Sequence, residues 1–356
     1  MGDLKAGFLS DTAGKLNAAY AVQRNTNLPM RLSDAFMYSV MKFAILYIMA
    51  GGFLILNGVM MRVQNFEQYK DFLCFQPAVI LLALFVYYPV LDLVRIGFTN
   101  WNLLKEEYTF VGFKNYNWVF TGSGWRTFSN SLKVTAIYTF WEVLMALAGG
   151  ILLALLFNRM TRLFSGMRAL VFMPKYIATS TSAIVFIWIL NGDYGILNYA
   201  LKFFGINGPN WLGSSDTALT GILFLTFWRV VGYAMMIYLS AMKTIPQDYY
   251  EAASIDGADG AHRFRFITLP LLAPTTLFLF VTTFISSMKV FQSVDVMTGG
   301  GPYESTMVLV QQVYKLAFED FRIDRAAVVS IIFFSILLIC TVFTMRYSQN
   351  NVNYDQ

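Results

Sequence analysis

Residues 251–274, EAASIDGADGAHRFRFITLPLLAP, form a polar, helix-breaking segment between two long apolar runs. Its alanine-rich opening favours helix, and Glu251 near the start suits the positive end of a helix dipole. Gly257 and Gly260 then interrupt that helix, and Pro270 opens the next apolar run. A short helix held between two membrane spans has a shape that a soluble partner can bind. The alternative is an ordinary interhelical loop.

Composition places the chain in a membrane. Of its 356 residues 57% are hydrophobic and 13% are charged, with a mean hydropathy of +0.54, whereas soluble domains carry about 25% charged residues. The net charge of +5 comes from cations at span boundaries, which does not indicate nucleic-acid binding. One histidine, His262, and two distant cysteines, Cys74 and Cys340, give no metal-binding or disulfide pattern. We therefore expect an all-α integral membrane protein with no metal and no cofactor of its own.

Apolar runs of about 20 residues can cross a bilayer as helices. A run at 43–61 could span the membrane or lie at its interface, and we predict an extra N-terminal hydrophobic helix there. The predicted organisation is an N-terminal extension (1–72), a transmembrane domain (73–346) with a polar helix near 247–262, and a cytoplasmic tail (347–356). Six core spans are predicted at 73–97, 131–157, 168–190, 218–241, 267–290 and 326–345.

Arginines give the direction of the spans. The loop 158–168 holds three arginines and no acid, so the positive-inside rule places it in the cytoplasm. Alternation of the spans then puts the segment after Glu251 on the same side. The longer loops, which are rich in aromatic residues and glycine, are predicted outside, at 98–130, 191–217 and 291–325.

The polar segment carries residue spacings that are found together in one protein family. It contains Glu251-Ala252-Ala253, then Gly257, Ile267 and Leu269-Pro270. This pattern resembles the EAA motif of permease subunits in bacterial ABC importers. Asp256-Gly257-Ala258 within it is similar to the carbohydrate branch, to which the maltose permease belongs. The resemblance implies a coupling helix that docks on an ATPase subunit through Glu251, Ala252, Ala253, Asp256, Gly257 and Ala258.

Landmarks elsewhere resemble the same family, from about residue 77 to 346. They include Val111–Tyr116 and Thr298–Pro302, and one departure is Lys175 where the family has an aromatic residue after Pro174. The sequence has no GxxxxGK[ST] phosphate-binding loop. The resemblance therefore implies that ATP and Mg²⁺ bind a separate ATPase dimer, and that the chain is not an enzyme.

The resemblance also implies the rest of the assembly. A second, different permease subunit and an extracytoplasmic solute-binding protein would complete a multi-pass sugar importer in the bacterial cytoplasmic membrane, which works by alternating access. An ion-driven secondary transporter is the main alternative, and it would usually show an internal repeat. A membrane enzyme is the other, and it needs a convergent set of catalytic groups.

Sugar contacts are expected on the helices before and after the coupling segment, because the family places them there. This gives Tyr233 on the first helix and Thr283, Ser286 and Ser287 on the second, where a spacing of three and four residues favours one helical face. Trp228 and Gln292 are further candidates at the outer ends. Small polar residues also pack transmembrane helices, which is the alternative for all of them.

Charges inside the spans allow two hypotheses. Glu142 and Arg229 each lie eleven residues into a predicted span, at a depth of roughly 16 Å for a helical rise of 1.5 Å per residue. They could form a structural ion pair between helices. Alternatively Arg229, with Lys175 and Lys289, could face the pathway and bind an anionic saccharide.

Overall fold

The computed structural model describes residues 76–102, 104, 108–158 and 161–351. Within these ranges the chain is helical apart from loops and one isolated antiparallel bridge between Thr99 and Phe110. The helix predicted at 43–61 lies outside the described residues. The chain divides after Pro89, and the cavity and the polar segment described below lie in the unit Val90–Gln356.

Thirteen helices follow one another along the described part of the chain. They are α1 Gln76–Gly97, α2 Lys114–Phe120, α3 Gly124–Leu156, α4 Arg162–Tyr176, α5 Thr179–Ile189, α6 Ile196–Phe203, α7 Ala218–Met242, α8 Gln247–Ile255, α9 Gly260–Leu271, α10 Ala273–Met288, α11 Gln292–Thr298, α12 Leu309–Tyr314 and α13 Ile323–Asn351.

Four helices, α1, α3, α7 and the first 22 residues of α13, are long and apolar enough to cross a membrane alone. The pairs α4–α5 and α9–α10 qualify as two further spans if each bent pair counts as one. The predicted fold class, an all-α membrane protein with six core spans, is confirmed. Helix α13 extends past the predicted span into the predicted tail 347–356, as far as Asn351.

Two predicted spans are not single straight helices. The run 168–190 belongs to α4 and α5, which meet at an angle of 104° across Ile177 and Ala178. Pro174 lies in a tight 3-10 turn just before this break. The run 267–290 belongs to α9 and α10, which are bent by 62° at Leu272. Apolar composition gives the length of a span but not its straightness, so neither bend was predicted.

Helix α7 packs closely against two other helices through glycine. A Cβ on Gly150 of α3 would lie 2.5 Å from the Cβ of Ala234 in α7. A Cβ on Gly232 of α7 would lie 1.9 Å from the carbonyl oxygen of Val171 in α4. Small residues let transmembrane backbones approach in this way. Helix α7 is therefore the element against which both the straight span α3 and the bent span α4–α5 are packed.

The loop after α1 is held by a buried amide. The Asn115 side chain donates hydrogen bonds to the carbonyl oxygens of Gly97 (3.1 Å) and Thr99 (2.7 Å). It is 4% exposed, so these bonds satisfy backbone groups that would otherwise be buried without partners. The 111–116 landmark of the sequence thus fixes how the chain leaves α1.

Candidate functional site

A cavity of about 360 Å³ lies among α3, the α4–α5 break, α7 and the residues that join α10 to α11. This volume is at the lower end of the range for small-molecule sites. Four residues singled out as substrate or ion-pair candidates line it, namely Glu142, Arg229, Ser286 and Gln292. Lys175 and Lys289, the two other cations of the anion hypothesis, line it as well.

Arg229 is bonded to the break between α4 and α5. One guanidinium nitrogen, Nη1, donates to the hydroxyl of Thr179, and Nη2 donates to the carbonyl oxygen of Ile177 at 3.3 Å. Its Nε is buried and makes no hydrogen bond. The Ile177 carbonyl belongs to an interrupted helix, and Thr179 opens the next one, so a single side chain joins the two sides of the break.

The predicted ion pair between Glu142 and Arg229 is not formed as a direct contact. Among the described residues, no nitrogen of Arg229 lies within 4.0 Å of a Glu142 oxygen. The two side chains line the same cavity, but the guanidinium points at Thr179 and Ile177 instead. The break in the α4–α5 span supplies these acceptors, and a straight helix would not have offered them.

Tyr233 does not line the cavity, but its ring contacts Lys175, which does. The ammonium nitrogen of Lys175 sits 4.8 Å from the centre of the Tyr233 ring, within the range of a cation–π interaction. Tyr233 and Arg229 are one turn apart on α7. The ring therefore orients a cation toward the cavity, a contact that the sequence did not predict.

Three other predicted contacts lie outside the cavity wall. Thr283 and Ser287 are 5% and 1% exposed within the helix packing, and the Ser287 hydroxyl donates to the carbonyl oxygen of Phe284 at 2.9 Å. Trp228 packs on Phe186 with ring centres 5.4 Å apart. Of the predicted Ser/Thr face only Ser286 reaches the cavity, because Ser287 is turned by about 100° from it around the helix.

Tyr138 and Thr226 are among the cavity residues that the sequence analysis did not single out. The Tyr138 hydroxyl and the Thr226 hydroxyl are 2.9 Å apart, which joins α3 to α7 at the cavity wall. A tyrosine and a threonine in apolar runs are too common to indicate a site. Tyr138 does lie one turn before Glu142 on α3, and this spacing was the only available signal.

The polar segment forms a shorter helix than predicted. Helix α8 runs from Gln247 to Ile255, so the predicted range 247–262 extends too far and Glu251 lies in mid-helix. Gly257 has a φ of +80°, a backbone region that favours glycine. The N–H of Ala258 donates to the carbonyl oxygen of Ala253 and that of Gly257 to Ser254, which is the pattern of a Schellman helix end.

The predicted coupling residues are largely exposed. Glu251, Ala252, Asp256 and Gly257 are exposed, while Ala253 and Ala258 are half-buried. A Cβ on Gly257 would meet no atom of this chain within 4 Å. The apolar side chains of Tyr249 and Ile255 are 54% and 87% exposed, and the sequence analysis did not single them out.

Two hydrogen bonds tie α8 to the following helix α9. The hydroxyls of Tyr250 and Thr268 are 3.0 Å apart, and Arg263 donates to the Ser254 hydroxyl at 3.1 Å. Tyr250 and Ser254 lie one turn apart on α8, so a single face of α8 makes both bonds. These bonds attach α8 to the first half of the bent span α9–α10.

Helix α9 begins with its own cap. The Asp259 carboxylate accepts a hydrogen bond from the backbone N–H of His262 at 2.8 Å, which is N-capping geometry. This bond, together with one from the His262 side chain, lowers the pKa of Asp259 below its ordinary value. Gly260 therefore begins a helix and does not merely interrupt one.

Apolar helices long enough to span a membrane, a charged cavity among several of them, and a short exposed helix between two spans are typical of a solute permease. Residues 146–352 match the family described as binding-protein-dependent transport system inner membrane component, and the chain belongs to this family. It is accordingly a membrane-spanning permease subunit of the ABC type and not an enzyme. The ion-driven transporter alternative was wrong.

Relatives and a solved structure agree with this assignment. The chain is 30% identical to the sn-glycerol-3-phosphate transport system permease protein UgpA of Agrobacterium fabrum, over 80% of this chain and 96% of the relative. It is 30% identical to the trehalose/maltose transport system permease protein MalF of Thermococcus litoralis, over 82% and 97%. A bacterial ABC transporter involved in the import of the acidic polysaccharide alginate has the same fold, with a TM-score of 0.70 and 22% identity, over 81% of this chain and 97% of that one.

Proposed function

We propose that this chain forms half of the solute pathway of an ATP-driven bacterial importer of anionic saccharides. Its partners are a second, different permease subunit, an ATPase dimer that binds ATP and Mg²⁺, and an extracytoplasmic solute-binding protein. The assembly lies in the cytoplasmic membrane. The dependence on a binding protein accords with the family description.

The charge of the cavity is the observation that carries the substrate class. Three basic side chains, Lys175, Arg229 and Lys289, line it with one acid, Glu142. Carboxylates and phosphates are bound most strongly by such charge-assisted hydrogen bonds, and by arginine in particular. Ser286 and Gln292 supply neutral polar partners of the kind that sugar hydroxyls need. The named relatives include permeases for a charged and for neutral solutes, and the excess of cations in the cavity supports the charged class.

The amino end of α5 adds to the positive character of this cavity. Helix α5 begins at Thr179, beside Arg229, and has no side-chain cap on its first N–H groups. The amino end of a helix carries partial positive charge, so a cation placed there is disfavoured and an anion is favoured. Arg229, Lys175 and this helix end therefore all attract a negatively charged group to one side of the cavity.

Helix α8 is proposed to dock on the ATPase. Its exposed apolar side chains Tyr249 and Ile255, and the bare turn at Gly257, are available to a partner. The hydrogen bonds of Tyr250 and Ser254 to α9 would carry movement of the ATPase into the membrane. Solute and ATP would then bias one assembly between two states, which is a coupling free energy between distant sites.

The substrate class is tested by ATP hydrolysis in the reconstituted complex with its binding protein. Trigalacturonate and a neutral galactose trimer form a pair that differs mainly in the carboxylates. We expect stimulation by the acidic member of this pair, or by other acidic saccharides in a panel. Stimulation by neutral saccharides alone would contradict an anionic substrate, but it would not contradict the importer role.

The docking role of α8 is tested by replacing Gly257 with aspartate. Gly205 offers a matched control, because it also has a positive φ (+76°), meets no atom within 4 Å, and lies in a predicted outer loop. We expect Gly257→Asp to lower co-purification of the ATPase at least tenfold, whereas Gly205→Asp leaves it near wild type. Equal loss in both variants would show that backbone strain, and not docking, is responsible.

A further inference from the structure

We infer that Arg229 couples occupancy of the cavity to the shape of the bent span α4–α5, because the anion and the break compete for the same guanidinium. This inference rests on the proposed function for the chemistry of the ligand. The break itself, Ile177 and Ala178 between α4 and α5, is independent of that proposal.

The first step of the argument is that Arg229 holds the break. Its two hydrogen bonds go to Ile177, which ends the α4 side, and to Thr179, which opens α5. The other hydrogen bonds of the two break residues, Ile177 and Ala178, stay on one side of the break. The Ile177 N–H donates to the carbonyl oxygen of Pro174 on the α4 side, and the Ala178 carbonyl oxygen accepts from the N–H and the hydroxyl of Ser182 on the α5 side. If the guanidinium leaves this position, the hydrogen bonds that join the end of α4 to the start of α5 are lost.

The second step is that the rest of the span does not need Arg229. Helix α4 is seated against α7 at Gly232, where the backbones are in direct contact. Helix α5 packs its buried Ala183 into the cluster that contains Leu225 and Ile222 of α7. Each half is therefore anchored separately on α7, so Arg229 adjusts the junction between them without determining whether either half folds.

The third step is that an anion in the cavity can take Arg229 away from the break. The guanidinium lines the cavity beside Lys175, and its buried Nε has no partner in the present arrangement. A carboxylate accepts two parallel N–H bonds from arginine and carries a full negative charge, whereas Thr179 and Ile177 each offer one neutral oxygen. An anionic ligand therefore competes favourably with Thr179 and Ile177, whereas a neutral sugar does not.

If Thr179 and an anionic ligand compete for Arg229, removing the Thr179 hydroxyl should strengthen binding of the ligand. In Thr179→Val, valine keeps the shape of threonine but cannot accept a hydrogen bond, so the break holds Arg229 less firmly. A ligand that draws Arg229 away should then bind more tightly, because the two equilibria are linked. We expect the half-saturating concentration of trigalacturonate, measured by calorimetry on the purified complex, to fall about threefold. A merely structural role for Thr179 would leave that concentration unchanged or raise it.

The shape of the span is followed with spin labels on both sides of the break. Leu170 of α4 and Trp188 of α5 are 70% and 67% exposed in the chain, and Cys74 and Cys340 are replaced by serine so that only introduced cysteines react. The full complex is used. We expect a narrow distance distribution in the parent, and a distribution at least twofold broader in Thr179→Val and Arg229→Lys, because lysine cannot bond to both acceptors at once.

Lys289→Gln is the matched control. It removes one positive charge from the same cavity but none of the bonds to the break. It should weaken binding of trigalacturonate severalfold and leave the label distance of the empty complex unchanged. Addition of trigalacturonate to the parent should reproduce the broadening seen in Thr179→Val, and the neutral galactose trimer should not.

Two results would overturn the inference. One is a parent-like distance distribution in both Thr179→Val and Arg229→Lys, and the other is a parent distribution that stays narrow with trigalacturonate bound. Failure of every acidic saccharide to bind or to stimulate ATP hydrolysis would overturn the anion class of the proposed function. The labelled variants without ligand would still decide whether Arg229 holds the break.

Discussion

The bent spans α4–α5 and α9–α10 differ in what produces the bend. In α9–α10, Pro270 and Pro274 flank the bend at Leu272, and proline removes backbone donors and clashes with the preceding turn. In α4–α5 the break comes after Pro174, but its two sides are joined by Arg229 from another helix. A bend imposed by proline is fixed by covalent structure, whereas one joined by a charged side chain can respond to charge. The bend that itself borders the cavity, between Lys175 and Thr179, is of the second kind.

The largest effect is expected where the first bent span is seated. Gly232→Ala would place a Cβ 1.9 Å from the carbonyl oxygen of Val171, so α4 and α7 must separate, at a cost of about 1–3 kcal/mol or more. We expect loss of monodisperse protein in size-exclusion chromatography and a lowered thermal midpoint. Gly166→Ala on α4 is the control, since a Cβ there meets nothing within 4 Å. Equal stability of the two variants would contradict the close packing.

The second bend is tested by removing its prolines. The double variant Pro270→Ala with Pro274→Ala restores two backbone donors, and we expect α9 and α10 to become one straighter helix. Spin labels at Phe266 and Phe278, which are 66% and 54% exposed, report the change. In a straight helix a separation of twelve residues corresponds to about 18 Å, which is longer than the distance across the bend. An unchanged distance would mean that packing and not proline imposes this bend.

A smaller effect is expected for the bond that joins α8 to the second bent span. Tyr250→Phe removes the hydroxyl that lies 3.0 Å from Thr268, and one such bond contributes about 1 kcal/mol. We expect about a fivefold lower maximal rate of solute-stimulated ATP hydrolysis, with the half-saturating solute concentration unchanged. Thr268→Val should behave the same way, and the double variant should be no worse than either single one. If the losses of the two single variants add up in the double variant, Tyr250 and Thr268 act independently and not through their shared hydrogen bond.

The smallest effect concerns the cap of α9. Because the pKa of Asp259 is lowered, its capping contribution is fully present above the pKa of the unfolded chain and is lost only as pH falls through the lower folded value. Solute-stimulated ATP hydrolysis should therefore show no Asp259-dependent change between pH 8 and about pH 5. Asp259→Asn should match the parent within about twofold, because asparagine is an equally good N-cap. A pH-dependent difference between the two proteins in that range would contradict the capping role.

The sequence predicted some spans almost to the residue. The run 218–241 is α7, which ends at Met242, because a long apolar segment with polar ends leaves little choice in a membrane. Pro270 and Pro274 were visible too, although their bend was not inferred. The Schellman end at Gly257 followed the expected role of that glycine, since few other residues adopt its backbone conformation.

The cavity was predictable only in part. Glu142 and Arg229 were predicted at a similar depth from helical rise, and they line one cavity. Their direct pairing was wrong, because the partners of Arg229 exist only where α4–α5 breaks. Position along a helix also does not say which side faces a neighbour, and for this reason Thr283 and Ser287 are buried while Ser286 is not.

The turn at the end of α8 has a consequence for how separately encoded subunits are combined in evolution. Its turn is defined by one glycine and by backbone hydrogen bonds from Gly257 and Ala258, and no side chain takes part in either bond. Neighbouring side chains can therefore be exchanged during evolution while the shape of this turn stays constant. Under the docking role proposed for α8, one ATPase subunit would fit several permeases whose cavities have diverged to accept different solutes.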